Sequence, residues 1–152
     1  MADKLVKLAV AVGFVLLFGC ASSTHQSDEE RRAQYAAYAG PPIDRFTWLG
    51  HFDGWEALGA TDLVVFTTPS DAYLLKVWPP CDLRFPSNGR GGETIGVTSA
   101  GGTVTARLDS IIEHSAAVGR TVCPISEIRK VDYHRMLADE RRQSQAKKQS
   151  TG

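Results

Sequence analysis

The hydrophobic pattern of the chain begins with an apolar segment that ends abruptly at one cysteine. Residues 8–18 contain only apolar side chains and one glycine, Lys4 and Lys7 precede them, and small and polar residues follow Cys20. A helix that spans a bilayer needs about 20 apolar residues, so this run is too short. A charged start followed by a short apolar core is typical of a secretory signal, and we expect residues 1–19 to be a signal peptide.

Short apolar and alternating segments, separated by turn residues, follow from residue 43 to residue 131. The run DLVVF (62–66) has the length of a buried strand, and AYLLKVW (72–78) alternates between two faces before a Pro-Pro pair ends it. The segments TIGVTS and TVTARLDSI flank AGG, a pattern that predicts a hairpin with glycines at its turn. We count six to eight strands. The pattern predicts a mainly β fold, a small curled antiparallel sheet or partly open barrel with short flanking helices, with an α+β fold as the alternative.

Helical signals occur at both ends of this β region. Ser27 and Glu30 have the spacing of a capping box, and the following Gly40-Pro41-Pro42 is expected to end that helix. From residue 132 onward the sequence favours a helix but is nearly all polar. We therefore divide the exported chain into a tether with a short helix (20–42), a β domain (43–136), and a polar helix end with a disordered tail (137–152).

Composition narrows the function classes. The chain has 152 residues, with 17 basic and 17 acidic side chains. A balanced charge gives no strong attraction to nucleic acid, which is not expected as a partner. A hydrophobic content of 43% together with 14 glycines indicates a globular, turn-rich domain rather than a disordered chain.

The sequence Leu17-Phe18-Gly19-Cys20 resembles the lipobox of bacterial lipoproteins. The resemblance implies that the Cys20 thiol receives a diacylglyceryl group, that the signal is cut before Cys20, and that the new amine is acylated with a fatty acid such as palmitate. No other cofactor is expected. One acyl chain anchors only marginally, whereas two or three anchor durably.

The residues after the cysteine bear on the membrane to which the protein is sorted. Gram-negative lipoproteins retained in the inner membrane commonly carry an aspartate there, whereas this chain has Ala21 and Ser22. The resemblance therefore points to the outer membrane, with the domain facing the periplasm. Retention in the inner membrane and exposure at the cell surface are the alternatives.

Two further cysteines, Cys81 and Cys123, are expected to form a disulfide, because thiols exported into an oxidising compartment usually pair. A catalytic thiol or a metal site is the rival interpretation. The sequence has no C-x-x-C, and no histidine lies within four residues of either cysteine. The structural disulfide is therefore favoured.

Candidate chemistry is sparse. The glycine-rich stretch NGRGGETIG lacks the lysine of a phosphate-binding loop, and Ser99 lies in a turn-like TSAGGT rather than in G-x-S-x-G. His51 and Asp53 are candidate ligands or catalytic groups, and Asp109 is a further candidate for binding. No recognised ligand spacing connects them, so we assign no catalytic residue and no metal site.

Trp48, Trp55 and Trp78 are candidates for a binding surface, since tryptophan offers a large apolar face with one polar group. Burial in the core is the favoured interpretation for so small a domain. Residues 129–148 hold seven Lys or Arg against three acids. Contact with anionic head groups or cell-wall carboxylates is one interpretation of this bias, and a solvated helix end is the favoured one.

Three segments, WEALGATDLVVFTTPSDAYLLKVWPPC, IGVTSAGGTVTARLDSI and CPISEIRKVD, resemble an uncharacterised Gram-negative lipoprotein family, a domain of unknown function. The resemblance covers roughly residues 44–135. PSNGRGGE looks like a longer loop than that family usually carries. The family brings no activity, so the resemblance implies the anchor and the paired cysteines but no catalyst.

The sequence thus predicts a membrane-anchored periplasmic lipoprotein that acts as a non-enzymatic binding or envelope-maintenance module. Its partner is expected to be another envelope protein or a cell-wall component. One alternative is a cell-envelope hydrolase with His51, Asp53 or Asp109 in a cleft. Another is a periplasmic protein inhibitor that presents the loop PSNGRGG.

Overall fold

The computed structural model describes residues 26–83, 94–99, 101–115 and 119–150. The apolar segment 8–18, Cys20 and the loop PSNGRGG (86–92) lie outside the described residues. Within the described part, no helix combines the length and the apolar character needed to cross a bilayer. The elements follow in the order α1 (Asp28–Tyr38), β1 (Ala39–Ile43), β2 (Arg45–Thr47), β3 (Gly54–Ala57), β4 (Asp62–Phe66), β5 (Ala72–Val77), β6 (Thr94–Val97), β7 (Thr103–Thr105), β8 (Ser110–Ser115), β9 (Gly119–Val131) and α2 (Tyr133–Ser150).

The fold is mainly β, a curled antiparallel half-barrel sheet with two helices, which confirms the predicted class. The main sheet has the order β3-β4-β5-β9-β8-β6, and β1 also pairs with β9. Strand β9 has 13 residues, so its first half pairs with β8 while its second half pairs with β5 and β1. The short strands β2 and β7 pair with each other as a separate two-stranded sheet.

The continuous apolar run of β4 follows from burial on both faces of the sheet. Leu63 and Val65 lie in the inner core, which also contains Phe46 of β2 and Val104 of β7. Val64 lies in a second cluster under the helices. Because successive strand residues point to opposite faces, a strand covered on both sides has no polar alternation.

The two helices form a layer on the outer face of the sheet. Tyr35 of α1 and Met136 of α2 are buried there. The predicted capping box is confirmed, since Ser27 accepts from the Glu30 N–H and the Glu30 carboxylate accepts from the Ser27 N–H. Tyr38, the last residue of α1, donates its hydroxyl hydrogen bond to Asp139 over 2.9 Å.

The predicted hairpin around AGG is wrong. Strand β6 pairs with β8, whereas β7 leaves the main sheet to pair with β2. Gly101 and Gly102 both have positive φ, and the backbone N–H of Trp48 donates to the Gly102 carbonyl over 2.8 Å. This contact with the distant β2 segment directs the chain away from β6, and no local turn signal encodes it.

The domain extends upstream of the predicted boundary at residue 43. Ala39–Ile43, which include the expected helix-breaking prolines, form a strand on β9, and α1 buries Tyr35 against the sheet. Proline is tolerated in such a short edge strand because one side needs no ladder hydrogen bond. At the other end, α2 continues to Ser150 and includes most of the segment 137–152, predicted as a polar helix end with a disordered tail.

Candidate functional site

The sulfur atoms of Cys81 and Cys123 lie at disulfide distance, as the sequence predicts, with their Cα atoms 5.6 Å apart. Cys123 is buried in the inner core, and Cys81 packs against that core from the segment that follows β5. The pair therefore joins this segment to the middle of β9. Its place inside the core is that of a structural crosslink.

His51 and Asp53 lie close together on the segment between β2 and β3. The distance from His51 Nε2 to Asp53 Oδ1 is 3.6 Å, and the imidazole is largely exposed. The Asp53 N–H donates to the Phe66 carbonyl, so the sheet fixes the backbone of this acid. Among the described residues no three His, Cys, Asp or Glu side chains gather closely enough to hold a metal ion.

Asp109 has a structural role in the turn between β7 and β8. Its carboxylate accepts hydrogen bonds from the Thr105 N–H over 2.8 Å and from the Thr98 hydroxyl over 3.2 Å. Within this turn, Arg107 has a φ of 66° and its N–H donates to Ile125 of β9. His114 lies five residues further along β8, about 16 Å away at the rise of an extended strand, and is exposed.

The three tryptophans divide into two groups. Trp48 and Trp55 are partly buried and pack against the inner core, as the core interpretation expects. That interpretation is wrong for Trp78, whose exposed fraction is 54%. The alternation of AYLLKVW carried a signal for this, since Trp78 follows the inward-facing Val77 and shares its parity with the exposed Lys76.

Trp78 belongs to an apolar surface on the outer face of the sheet. Residues directly opposite each other in an antiparallel pair share one face. The pair Ile112 and Val122 therefore points away from the inner core, where the neighbouring Cys123 lies, and Pro124 also points outward. The backbone N–H of Trp78 donates to the Pro124 carbonyl over 3.0 Å. We call Trp78, Ile112, Val122 and Pro124 the outer-face strip.

A cleft of about 500 Å³ lies where α1, β1, β9 and α2 meet. At its edge the Lys130 ammonium lies 3.0 Å from Asp71 and above the ring of Tyr73. The hydrogen bond from the Lys130 ammonium holds the pKa of the Asp71 carboxyl below the usual value. The groups come from distant segments, so no sequence motif indicated the cleft.

A second cleft of about 390 Å³ lies between α1 and strands β4, β5 and β9. Arg129 pairs there with Glu127 over 2.6 Å, and Arg32 lies 3.8 Å from Asp62. Positive and negative groups alternate along its walls. This mixture of paired charges does not select a ligand of one sign.

The comparisons with known proteins identify a family. A model described as a family of unknown function, DUF6491, matches residues 3–149. Neither a curated protein nor a solved structure matches the chain. The match reaches beyond the segments 44–135 that carried the resemblance, and it includes both helices. Because this match covers nearly the whole sequence, the chain belongs to DUF6491, a family of unknown function.

Proposed function

We propose that this protein is a membrane-anchored periplasmic lipoprotein that binds another envelope protein through the outer-face strip. The observation that carries the proposal is the exposure of Trp78 and Val122, whose exposed fractions are 54% and 44%, where the Trp78 backbone is hydrogen-bonded to Pro124, two positions from Val122 on β9. Tryptophan is strongly enriched among residues that dominate binding energies at protein interfaces. A tryptophan left in water beside other apolar groups is better explained by a partner than by stability of the isolated domain.

The strip is also rigid, which favours binding. The Trp78 backbone is hydrogen-bonded to Pro124, and Val122 lies in the paired section of β9 next to the crosslinked Cys123. A preformed surface loses little conformational entropy when a partner binds, so more of its contact energy contributes to affinity.

The anchor part of the proposal is supported by the sequence. The lipobox-like Leu17-Phe18-Gly19-Cys20 ends an apolar run behind two lysines, and Ala21 and Ser22 favour the outer membrane. Attachment to a membrane would place the outer-face strip among envelope proteins. The diacylglyceryl group and the fatty acid on Cys20 would make that attachment durable.

The candidate catalytic residues support binding over hydrolysis. The Asp109 carboxylate is engaged by Thr105 and Thr98, which hold a turn. His51 and Asp53 form an exposed pair with an open 3.6 Å separation. A general base acts from within about 2.6–3.2 Å of its target and works best in a site that excludes water, whereas this pair lies at the surface.

Site-specific photocrosslinking in growing cells tests the binding surface. A photoreactive phenylalanine analogue would replace Trp78 or Val122. The matched controls would carry it at Leu49, an exposed residue between β2 and β3, or at Ser70, an exposed residue of the β4–β5 turn at the opposite end of β5 from Trp78. We expect discrete protein adducts from the strip positions only. Adducts of the same pattern from all four positions, or from none, would contradict the proposal.

Fatty-acid labelling tests the anchor separately. Wild-type protein should incorporate a labelled fatty acid, and the Cys20→Ser variant should incorporate none and stay unprocessed or misplaced. Cys81→Ser is the matched control, because it removes a cysteine that the lipobox does not include. Equal labelling of wild type and Cys20→Ser would remove the anchor from the proposal.

A further inference from the structure

We infer that the exposed face of α2 contacts the anionic phospholipid headgroups of the membrane to which the protein is anchored. The inference rests on the proposed anchor at Cys20 and goes beyond it, because it assigns a membrane-facing surface and an orientation to the domain. Helix packing, charge placement and chain length together carry it.

The two helices run antiparallel. Tyr38, at the end of α1, accepts a backbone hydrogen bond from Asp132, just before α2 begins. The side-chain amide of Gln34, one turn earlier in α1, donates a hydrogen bond to the carboxylate of Glu140, two turns into α2. The position along α1 falls as the position along α2 rises. The C-terminal end of α2 therefore extends towards the beginning of α1.

The levels of the two helix ends follow from the helix rise. From Gln34 back to Ser27 is seven residues, and from Glu140 forward to Lys147 is also seven, which is about 10 Å in each helix at 1.5 Å per residue. Lys147 and Ser27 thus lie at about the same level along the pair. The end of α2 and the start of α1 are on the same side of the domain.

That side is the anchored side. Gln26, the first described residue, follows Cys20 by only six positions. Even a fully extended chain of six residues spans at most about 22 Å. A lipid on Cys20 would hold the start of α1, and with it the end of α2, within this distance of the bilayer surface.

The end of α2 carries positive charge only. After Glu140 the helix contains four Lys or Arg and no acid up to Ser150. At 100° per residue, Arg141 and Lys148 lie on one line of the helix, about 120–140° around the axis from the buried Met136. Both are exposed. We call Arg141 and Lys148 the basic stripe.

The acids of α2 lie on the other side of the helix. Asp139 and Glu140 face α1, where they accept hydrogen bonds from Tyr38 and Gln34, and Asp139 also pairs with Arg142. The first five residues of α1, DEERR, carry three acids against two arginines, a net charge of −1, whereas residues 141–150 carry +4. The net charge presented towards the bilayer is therefore positive. Cations close to an anionic lipid surface are attracted to it, and the attraction is screened by salt.

Hydrogen exchange of the lipidated protein in vesicles tests the inference. The mature chain would be reconstituted into vesicles of phosphatidylcholine alone and into vesicles that also contain phosphatidylglycerol. We expect the protein to float with both. The amides of residues 141–150 should exchange about fivefold more slowly on the anionic vesicles, the factor that corresponds to the surface attraction of about one cation. The difference should disappear at high salt.

Two charge-reversal variants separate the basic stripe from charge in general. Arg141→Glu with Lys148→Glu should abolish the slower exchange. Arg45→Glu with Lys76→Glu, which reverses two exposed cations on the sheet, should keep it. The same loss in both double variants would overturn the inference, because it would show an effect of net charge alone.

The remaining outcomes distinguish the contact from the anchor. Protein that floats with both vesicles but exchanges at equal rates overturns the contact and leaves the anchor. Protein that fails to float with neutral vesicles overturns the anchor and the contact together. If polyglutamate in solution slows the same amides and anionic vesicles do not, the stripe recognises a carboxylate polymer instead, and the lipid contact is overturned.

Discussion

Cys81 and Cys123 connect the end of β5 to the middle of β9, with Cα atoms 5.6 Å apart across 42 positions of sequence. The outer-face strip includes residues from both segments that this bond joins. Trp78 precedes Cys81 by three positions, and Val122 precedes Cys123 by one. The crosslink thus fixes the two segments whose apolar side chains form the strip. Stability and the proposed binding surface depend on the same bond.

Removal of this disulfide should destabilise the domain and disorder the strip. In the chain-entropy model, closing a loop of about 43 residues stabilises the fold by roughly 4 kcal/mol. We expect the double variant Cys81→Ala with Cys123→Ala to unfold at a much lower urea concentration. Single variants should each expose one alkylatable thiol. If non-reduced wild-type protein gave two alkylated cysteines in mass spectrometry, this prediction would fail.

The sequence predicted those features of the fold that depend on neighbouring residues. The capping box of Ser27 and Glu30 is a local pattern of two hydrogen bonds, and the structure contains both. The β class follows from short runs with turn residues between them. The AGG hairpin failed because its partner choice depends on Trp48, which lies about 50 positions away and binds Gly102.

Of the candidate site, only the disulfide pair and the face of Trp78 could be read from the sequence. The cleft joins Asp71 to Lys130, and the helix pair joins Gln34 to Glu140. Such contacts depend on how α1 and α2 pack on the sheet. A single sequence records helix propensity but not the face on which a polar helix docks.

Truncation of Tyr35 should show that α1 belongs to the folded domain. Tyr35 is buried under α1, and this burial raises the pKa of its hydroxyl. Loss of a buried aromatic side chain typically costs about 3–5 kcal/mol, so Tyr35→Ala should lower the free energy of unfolding by about that amount. Tyr35→Phe, the matched control, should cost less than about 1 kcal/mol, because the hydroxyl lies a long 3.5 Å from Glu56. A Tyr35→Ala variant as stable as wild type would mean that α1 is only a tether.

Asp109 and Asp53 should differ in their effect on stability. Asp109 accepts hydrogen bonds from Thr105 and Thr98, and hydrogen bonds to a charged group contribute about 1.5–3 kcal/mol. We expect Asp109→Ala to lower the free energy of unfolding by about that amount. Asp53→Ala changes a more exposed residue, and its effect should stay within about 0.5 kcal/mol. Calorimetry of both variants measures this; equal melting temperatures would contradict the structural role of Asp109.

The ion pair between Asp71 and Lys130 should give a small pH-dependent contribution to stability. The Lys130 hydrogen bond lowers the pKa of Asp71, and the Asp71 hydrogen bond raises the pKa of Lys130. A lowered carboxyl pKa stabilises the fold above the unfolded value of about 3.9, and the contribution is lost as the pH falls through the folded-state pKa. A raised ammonium pKa stabilises it below the unfolded value of about 10.4, and the contribution is lost as the pH rises through the folded-state pKa. The pair should therefore act between roughly pH 4 and pH 10.

The size of this contribution follows from exposure. The side chains of Lys130 and Asp71 are 58% and 42% exposed, so water and salt screen their attraction, and such surface pairs contribute about 0–1 kcal/mol. Urea midpoints of wild type, Asp71→Asn, Lys130→Gln and the double variant at pH 7 would isolate the pair in a double-mutant cycle. The coupling should weaken as the pH falls below the unfolded value of about 3.9, should vanish once the carboxyl is protonated, and should weaken in 1 M salt. If Asp71→Asn lost the same stability at pH 2 as at pH 7, the hydrogen bonds of Asp71 with Thr68 would be the cause instead of its charge.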